Sequence, residues 1–375
     1  MVAPISSSIL RLVQPHILAL LGYEPIEPAE LIADRLGIPA ERVAKLDGNE
    51  NPYGASPRVL EALGKLETYN RYPDPQQRRL RAALGEYAGV GPGHIVAGHG
   101  SDELIDLLLR AIVAPGDGVI DCPPTFGMYG FSTRVAGGRI IEAPRRANFS
   151  LAIDAIRRVA GEAKAIFVAS PNNPTGNPLG VDELEALLAT GLLVVVDEAY
   201  VEFADGSVAG LVPDRENLVV LRTFSKWAGL AGLRAGYGIM PAALAQVLMH
   251  MKPPYTPNVA AEVAMLASLE EREPLMERVR TIVGERERMA RALTSLELLE
   301  IYPSQANFLL VRLKPDPRGE VDAREAHGRL ASEGIFVRHF DTPLLQDCLR
   351  ISVGLPEHTD RLVEALGAMG GDRAR

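Results

Sequence analysis

Five consecutive apolar residues, Leu192-Leu193-Val194-Val195-Val196, run directly into Asp197-Glu198-Ala199-Tyr200, and this junction restricts the fold more than any other stretch of the chain. A strand with no polar face must be covered on both sides, which is the condition of a sheet held between two layers of helices. Two junctions of the same kind flank it. Ala165 to Ala169 leads into Ser170-Pro171-Asn172-Asn173-Pro174-Thr175-Gly176, and Leu218 to Arg222 leads into Thr223-Phe224-Ser225-Lys226-Trp227. Helix-period segments, Asp154 to Ala160 and Val181 to Ala189 among them, separate the strands. Strands alternating with helices imply right-handed crossovers and a mainly parallel sheet, whose ligands gather at the carboxyl ends of the strands. An Asn, then an Asp with a Tyr, then a Lys are thereby delivered to one edge of the sheet.

The chain has 375 residues, 47% of them hydrophobic, enough for a substantial core and for roughly two domains. The expected fold class is α/β, a mainly parallel sheet with helices on both faces, plus a smaller α+β domain. The expected division is an N-terminal arm that is also part of the small domain (1–45, with a short helix from Ala29 to Leu36), a large domain (46–270) and a small C-terminal domain (271–375). Further large-domain strands are expected at His94 to Ala97, Gly118 to Asp121 and Gly236 to Met240. The small domain is expected to hold a long charged helix from Pro274 to Leu296, strands at Ala306 to Leu313, Ile335 to Arg338 and Arg350 to Val353, and helices at Asp322 to Glu333 and up to Met369.

A net charge of -9 provides no basic face for nucleic acid, so any anionic ligand has to be held by local cations and backbone dipoles. Two cysteines, Cys122 and Cys348, are too few for a disulfide framework or a clustered metal site, and no metal is expected. The first residues lack the basic and apolar segments of a signal peptide, and no apolar run is long enough to cross a membrane. A cytoplasmic protein without membrane attachment is expected.

A lysine that forms an imine must present a neutral amine part of the time, and desolvation beside another cation lowers its pKa toward that need. A lone Lys226 reads more simply as a surface lysine. Arg234 changes that reading: eight residues on, past a Gly-rich turn, it can reach a phosphate bidentately while Ser225 and Thr223 offer hydroxyls. Asp197 emerges from a buried strand and needs a partner. It can cap the next helix, or pair with a protonated pyridine nitrogen and so keep a ring poised as an electron sink. Tyr200 and Asn173 can meet a phenolate oxygen of the same ring, although Asn173-Pro174-Thr175-Gly176 alone also reads as a plain turn. Gly100-Ser101-Asp102 opens a helix directly after a strand, where free N–H groups and a positive dipole end can dock an anion; ordinary capping is the plainer account. Phe126 is either a ring that stacks on the pyridine or a core aromatic. Arg338 and Arg350 read as an anion clamp more readily than as rim salt bridges in so acidic a chain.

Taken together, these residues resemble the fold-type I pyridoxal phosphate (PLP)-dependent aminotransferases, in the histidinol-phosphate aminotransferase subfamily. The resemblance spans nearly the whole chain. It rests on Leu46-Asp47-Gly48-Asn49-Glu50-Asn51-Pro52-Tyr53-Gly54, Arg71-Tyr72-Pro73-Asp74, Gly100-Ser101-Asp102-Glu103, Pro123-Pro124-Thr125-Phe126-Gly127-Met128-Tyr129, the Asn173 and Asp197 clusters, Ser225-Lys226 through Gly236, and Arg350-Ile351-Ser352-Val353-Gly354. Each motif is weak alone, whereas their order and spacing are specific. The resemblance implies that Lys226 carries the cofactor and shuttles a proton, that Asp197 pairs with the ring nitrogen, and that Asn173 and Tyr200 bond its phenolate oxygen. The phosphate would lie against the amides of Ser101 and Asp102, with Ser225 and Arg234. Tyr72 would reach the phosphate of the partner subunit in a homodimer. Arg350 would take the glutamate carboxylate, and Arg338, Tyr23 and Asn49 would help hold a phosphorylated second substrate. Many relatives carry Tyr where Phe126 stands, a change that keeps stacking and loses a hydroxyl contact.

The expected reaction is a ping-pong transamination between histidinol phosphate and 2-oxoglutarate. Competing readings are an aromatic or broad-specificity aminotransferase, a decarboxylase of threonine phosphate, and a non-catalytic PLP-binding regulator. The last should carry a DNA-binding domain, and the residues before the match hold no helix-turn-helix pattern or basic cluster. A nicotinamide-binding dehydrogenase is disfavoured because Glu103 occupies the position of the third glycine in its fingerprint.

Overall fold

The computed structural model describes residues 8–22, 25–315 and 321–374. Its centre is a seven-stranded sheet whose strands lie in the order Ile95–His99, Ala235–Ile239, Leu218–Thr223, Leu193–Asp197, Ala163–Ala169, Gly118–Asp121 and Arg139–Glu142. Side chains alternate across it. Val194 and Val196 join the core on one face while Val195 joins the core on the other, both beneath helices, and each such side chain stabilises the fold by ~1.5–3 kcal/mol. This two-sided burial is why the strand sequences carry almost no polar residues until their last position.

Six strands share one direction and Ala235–Ile239 runs against both of its neighbours. The reason is the length of the link. Residues 224–234 hold only a short 3-10 turn, too little chain for a helical crossover, so the strand after Thr223 returns alongside it. The loop that carries Lys226 is consequently anchored at both ends in adjacent strands.

A second, smaller sheet is antiparallel, with Arg338–His339, Cys348–Ser352, Phe308–Leu313 and Leu299–Ile301 in that order. Helices Arg272–Thr294, Ala323–Ser332 and Pro356–Ala374 accompany it. The strand expected over Ile335 to Arg338 divides at Val337: Ile335–Phe336 pairs in parallel with Ala44–Lys45, and Arg338–His339 pairs with Leu349 and Arg350. Arg350 stands in the middle of its strand rather than at its start. Three strands went unread in the sequence, Ala44–Lys45, Arg139–Glu142 and Leu299–Ile301, all short, at sheet edges and with charged or polar positions.

Candidate active site

Three neighbouring parallel strands end at Ala169, Asp197 and Thr223, and their next few residues converge on a cavity of about 510 Å³. Of the residues expected at a site, Ser101, Asp102, Phe126, Asn173, Asp197, Tyr200, Thr223, Ser225, Lys226, Arg234, Arg338 and Arg350 all line it. A larger cavity, about 880 Å³, is lined by residues of 36–43, 332–334 and 355–361, but there Arg42 and Arg361 are balanced by Glu41, Glu333 and Glu357, and no lysine enters.

The Lys226 amine donates to the backbone carbonyl of Gly48 at 3.2 Å. Burial, then the nearby Arg350 guanidinium, brings its pKa down to about 8, so an appreciable fraction of the amine is neutral near neutral pH. That is the state a nucleophilic lysine needs.

Asp197 is 4% exposed, and its pKa is pushed up to about 6 by burial. One oxygen accepts from the Tyr129 hydroxyl at 2.8 Å and the other from the Ala199 amide at 3.0 Å. The nearby charges that act on it, Asp102 and Glu198, are of like sign. Among the described residues no cation forms an ion pair with this buried carboxylate, which suits it to a positive partner brought by a ligand. The part of Tyr129 was not foreseen. Tyr129 lies in the first turn of the helix Met128–Val135, where its ring stacks on Phe167 and meets Phe126 edge-on, and its hydroxyl reaches Asp197.

On the other side of Lys226, the helix Gly100–Ile112 starts with no side-chain cap, leaving first-turn N–H groups for an anion. Close approach makes this cup. A Cβ on Gly236 would meet the carbonyl carbon of Gly100 at 2.6 Å and the Ser101 nitrogen at 2.7 Å, so only glycine lets the strand lie against the helix start. Arg234, held at φ +53°, sends its guanidinium over Gly100 to the Asp102 carboxylate at 3.0 Å. The hydroxyls of Thr223 and Ser225 lie 2.8 Å apart beside it.

Arg338 and Arg350 are directly opposite one another in an antiparallel pair, which sets both side chains on one face of the small sheet. Like charges so placed repel, a cost that an anionic ligand removes. Arg350 also donates to the Asn173 side-chain carbonyl at 2.6 Å and to the Asp47 backbone, and its guanidinium lies near the rings of Phe308 and Phe340.

Two expected residues stand apart from the cavity. Asn49 is 2% exposed, and its side chain is engaged by Tyr200 and Ser352 instead of facing a substrate. Tyr72 is 78% exposed and stacks on Tyr255 with ring centroids 4.0 Å apart. Tyr23 lies outside the described residues.

The family model described as aminotransferase class I and II matches residues 41–366. The histidinol-phosphate aminotransferase of Roseiflexus castenholzii is 50% identical over 367 residues, 96% of this chain and 98% of that protein. The chain belongs to the histidinol-phosphate aminotransferase family, within the class I and II aminotransferases. The chloroplastic member of Nicotiana plumbaginifolia is 45% identical over 94% of this chain and 86% of its own length. Among solved structures, the histidinol-phosphate aminotransferase of Sinorhizobium meliloti in complex with pyridoxal-5'-phosphate superposes with a TM-score of 0.86 at 28% identity, covering 96% of this chain and 97% of that one. The donor set here suits a phosphorylated pyridine aldehyde of that kind: a helix start free of a side-chain cap at one end, a buried carboxylate held by two neutral donors at the other, and a lysine of lowered pKa between them.

Proposed function

We propose that this protein carries out the PLP-dependent transamination of histidinol phosphate with 2-oxoglutarate, giving imidazole acetol phosphate and glutamate in histidine biosynthesis. The observation that carries the reading is Arg338 facing Arg350 across the small sheet above Lys226 and Asp197, in a chain half identical to a histidinol-phosphate aminotransferase. One pocket has to accept a dicarboxylate in one half-reaction and an imidazole phosphate in the other. A shared pair of arginines meets both demands.

Pyridoxal phosphate, when bound, supplies an aldehyde carbon for the amino group and a ring that takes up the electron pair left at the substrate α-carbon. Asp197 would hold a positive charge on the ring nitrogen, and Asn173 and Tyr200 would bond its phenolate oxygen. The amides of Ser101 and Asp102, the hydroxyls of Thr223 and Ser225, and Arg234 would hold its phosphate, with Phe126 packed on its face. Lys226 Nζ, neutral for part of the time, would take the proton from the substrate α-carbon and deliver it to the cofactor carbon that bears the amino nitrogen, and would move it in the opposite sense in the second half-reaction. Arg350 orients the α-carboxylate or the keto acid, and Arg338 takes the distal anion. Phe308 and Phe340 beside Arg350 keep water from that guanidinium, which strengthens its bond to a carboxylate.

A homodimer fits the exposed ring of Tyr72, which would complete the phosphate site of the partner subunit. A cytoplasmic setting agrees with two buried free thiols, Cys122 and Cys348, and among the described residues no helix is long and apolar enough to cross a membrane. Substrate choice is tested by comparing kcat/KM for histidinol phosphate and phenylalanine. Loss of a charge-assisted contact costs ~1.5–3 kcal/mol, so the phosphate should be preferred by roughly ten- to a hundred-fold. Equal or better turnover of phenylalanine would make the protein an aromatic or broad-specificity aminotransferase instead.

A further inference from the structure

Asn49 adopts a left-handed backbone, φ +51°, while 2% exposed, and it bonds both to Ser352 and Asn307 of the C-terminal part of the chain and to Tyr200. A buried non-glycine residue in that conformation is held there by its surroundings. Four hydrogen bonds do so. The Asn49 backbone N–H donates to Ser352 Oγ at 2.9 Å, so the Ser352 hydroxyl sends its own proton to Asn49 Oδ1, at 2.8 Å. That exchange fixes which way the amide faces: Nδ2 is left on the side of Tyr200 and donates to its phenolic oxygen at 2.9 Å. The Asn49 carbonyl accepts from Asn307 Nδ2 at 3.0 Å. Because Nδ2 donates, the phenol proton of Tyr200 has to turn away from Asn49, and Tyr200 borders the cavity. Ser352 lies two residues beyond Arg350 on the same strand, hence on the same face.

We propose that Asn49 is a positioning residue which aims the Tyr200 hydroxyl at the phenolic oxygen of the bound cofactor and ties that aim to the small-domain strand carrying Arg350. The inference rests on the PLP-dependent reading given above. Asn49 thereby acts through Tyr200 and does not touch substrate.

The test uses the PLP-loaded protein and reads the pH midpoint of its visible absorbance, a property of the bound cofactor that general loosening of the fold does not move in a set direction. A hydroxyl donating to the phenolic oxygen favours its ionised form and makes the neighbouring cofactor nitrogen a weaker base, so a misdirected donor raises the midpoint. Tyr200→Phe sets the full effect. Asn49→Gly suits the left-handed backbone and removes only the amide, and Ser352→Ala frees the amide to rotate; each should raise the midpoint by up to about one pH unit. In the Tyr200→Phe background neither should add to the shift. A midpoint unchanged in both variants, or a shift that persists without the Tyr200 hydroxyl, overturns the proposal. A parent protein that takes up no PLP at all overturns the functional reading beneath it.

Discussion

Asp197 shows most plainly how a single residue serves chemistry at the expense of the cofactor-free fold. Its folded pKa of about 6 stands above the ~3.9 of an unfolded chain, so the folded state binds the proton more tightly. The sign follows: this contribution is fully present below about pH 4 and is lost as pH rises through about 6, on the order of 2–3 kcal/mol. Asp197→Asn should remove that loss. Denaturant melts of the cofactor-free proteins at pH 4.5 and 7.5 check it: the parent should lose stability between the two while the variant loses markedly less, and the variant should bind PLP far more weakly. Identical pH slopes would refute the assignment. Asp197 was legible because five apolar residues precede it, and Lys226 because hydroxyls and Arg234 surround it in sequence. Tyr129 and Asn49 were not read in this way. Their partners, Asp197 and Tyr200, are 68 and 151 positions away, and a hydrogen bond over such a separation leaves no local pattern.

At the scale of elements, the site depends on how closely the strand Ala235–Ile239 meets the start of the helix Gly100–Ile112. Gly236→Ala would drive a methyl group into backbone atoms at 2.6–2.8 Å, which cannot yield as a side chain would. Overpacking of this kind costs ~1–3 kcal/mol, and the helix start that forms the anion cup is what must move. The expected outcome is a lower denaturation midpoint together with weaker PLP binding; Gly238→Ala, whose Cβ would meet only side chains, is the control for a general effect on the strand. Normal cofactor affinity in Gly236→Ala would separate the cup from this contact. The parallel strands were legible from continuous apolar runs, whereas the reversed direction of Ala235–Ile239 was not: one strand's composition does not record its neighbour's direction. Edge strands such as Arg139–Glu142, exposed at both ends, read as loop for a similar reason.

Across the whole molecule, a helix-covered sheet supplies Lys226, Asp197 and the anion cup, and a smaller antiparallel sheet brings Arg338 and Arg350 over them. On the proposed function, this division would assign the cofactor to one sheet and the substrate anions to the junction of both. The two arginines were legible as charges at strand positions; their alignment on one face required the register of the sheet. The central claim is that these parts together exchange an amino group through the lysine-held cofactor. It is tested by adding glutamate alone to the PLP-loaded protein and following the visible spectrum while assaying 2-oxoglutarate. The account predicts that the band of the lysine-bound cofactor gives way to that of its amine form, with one equivalent of 2-oxoglutarate per bound cofactor, and that histidinol phosphate drives the same change. An unaltered spectrum with no keto acid released would contradict it.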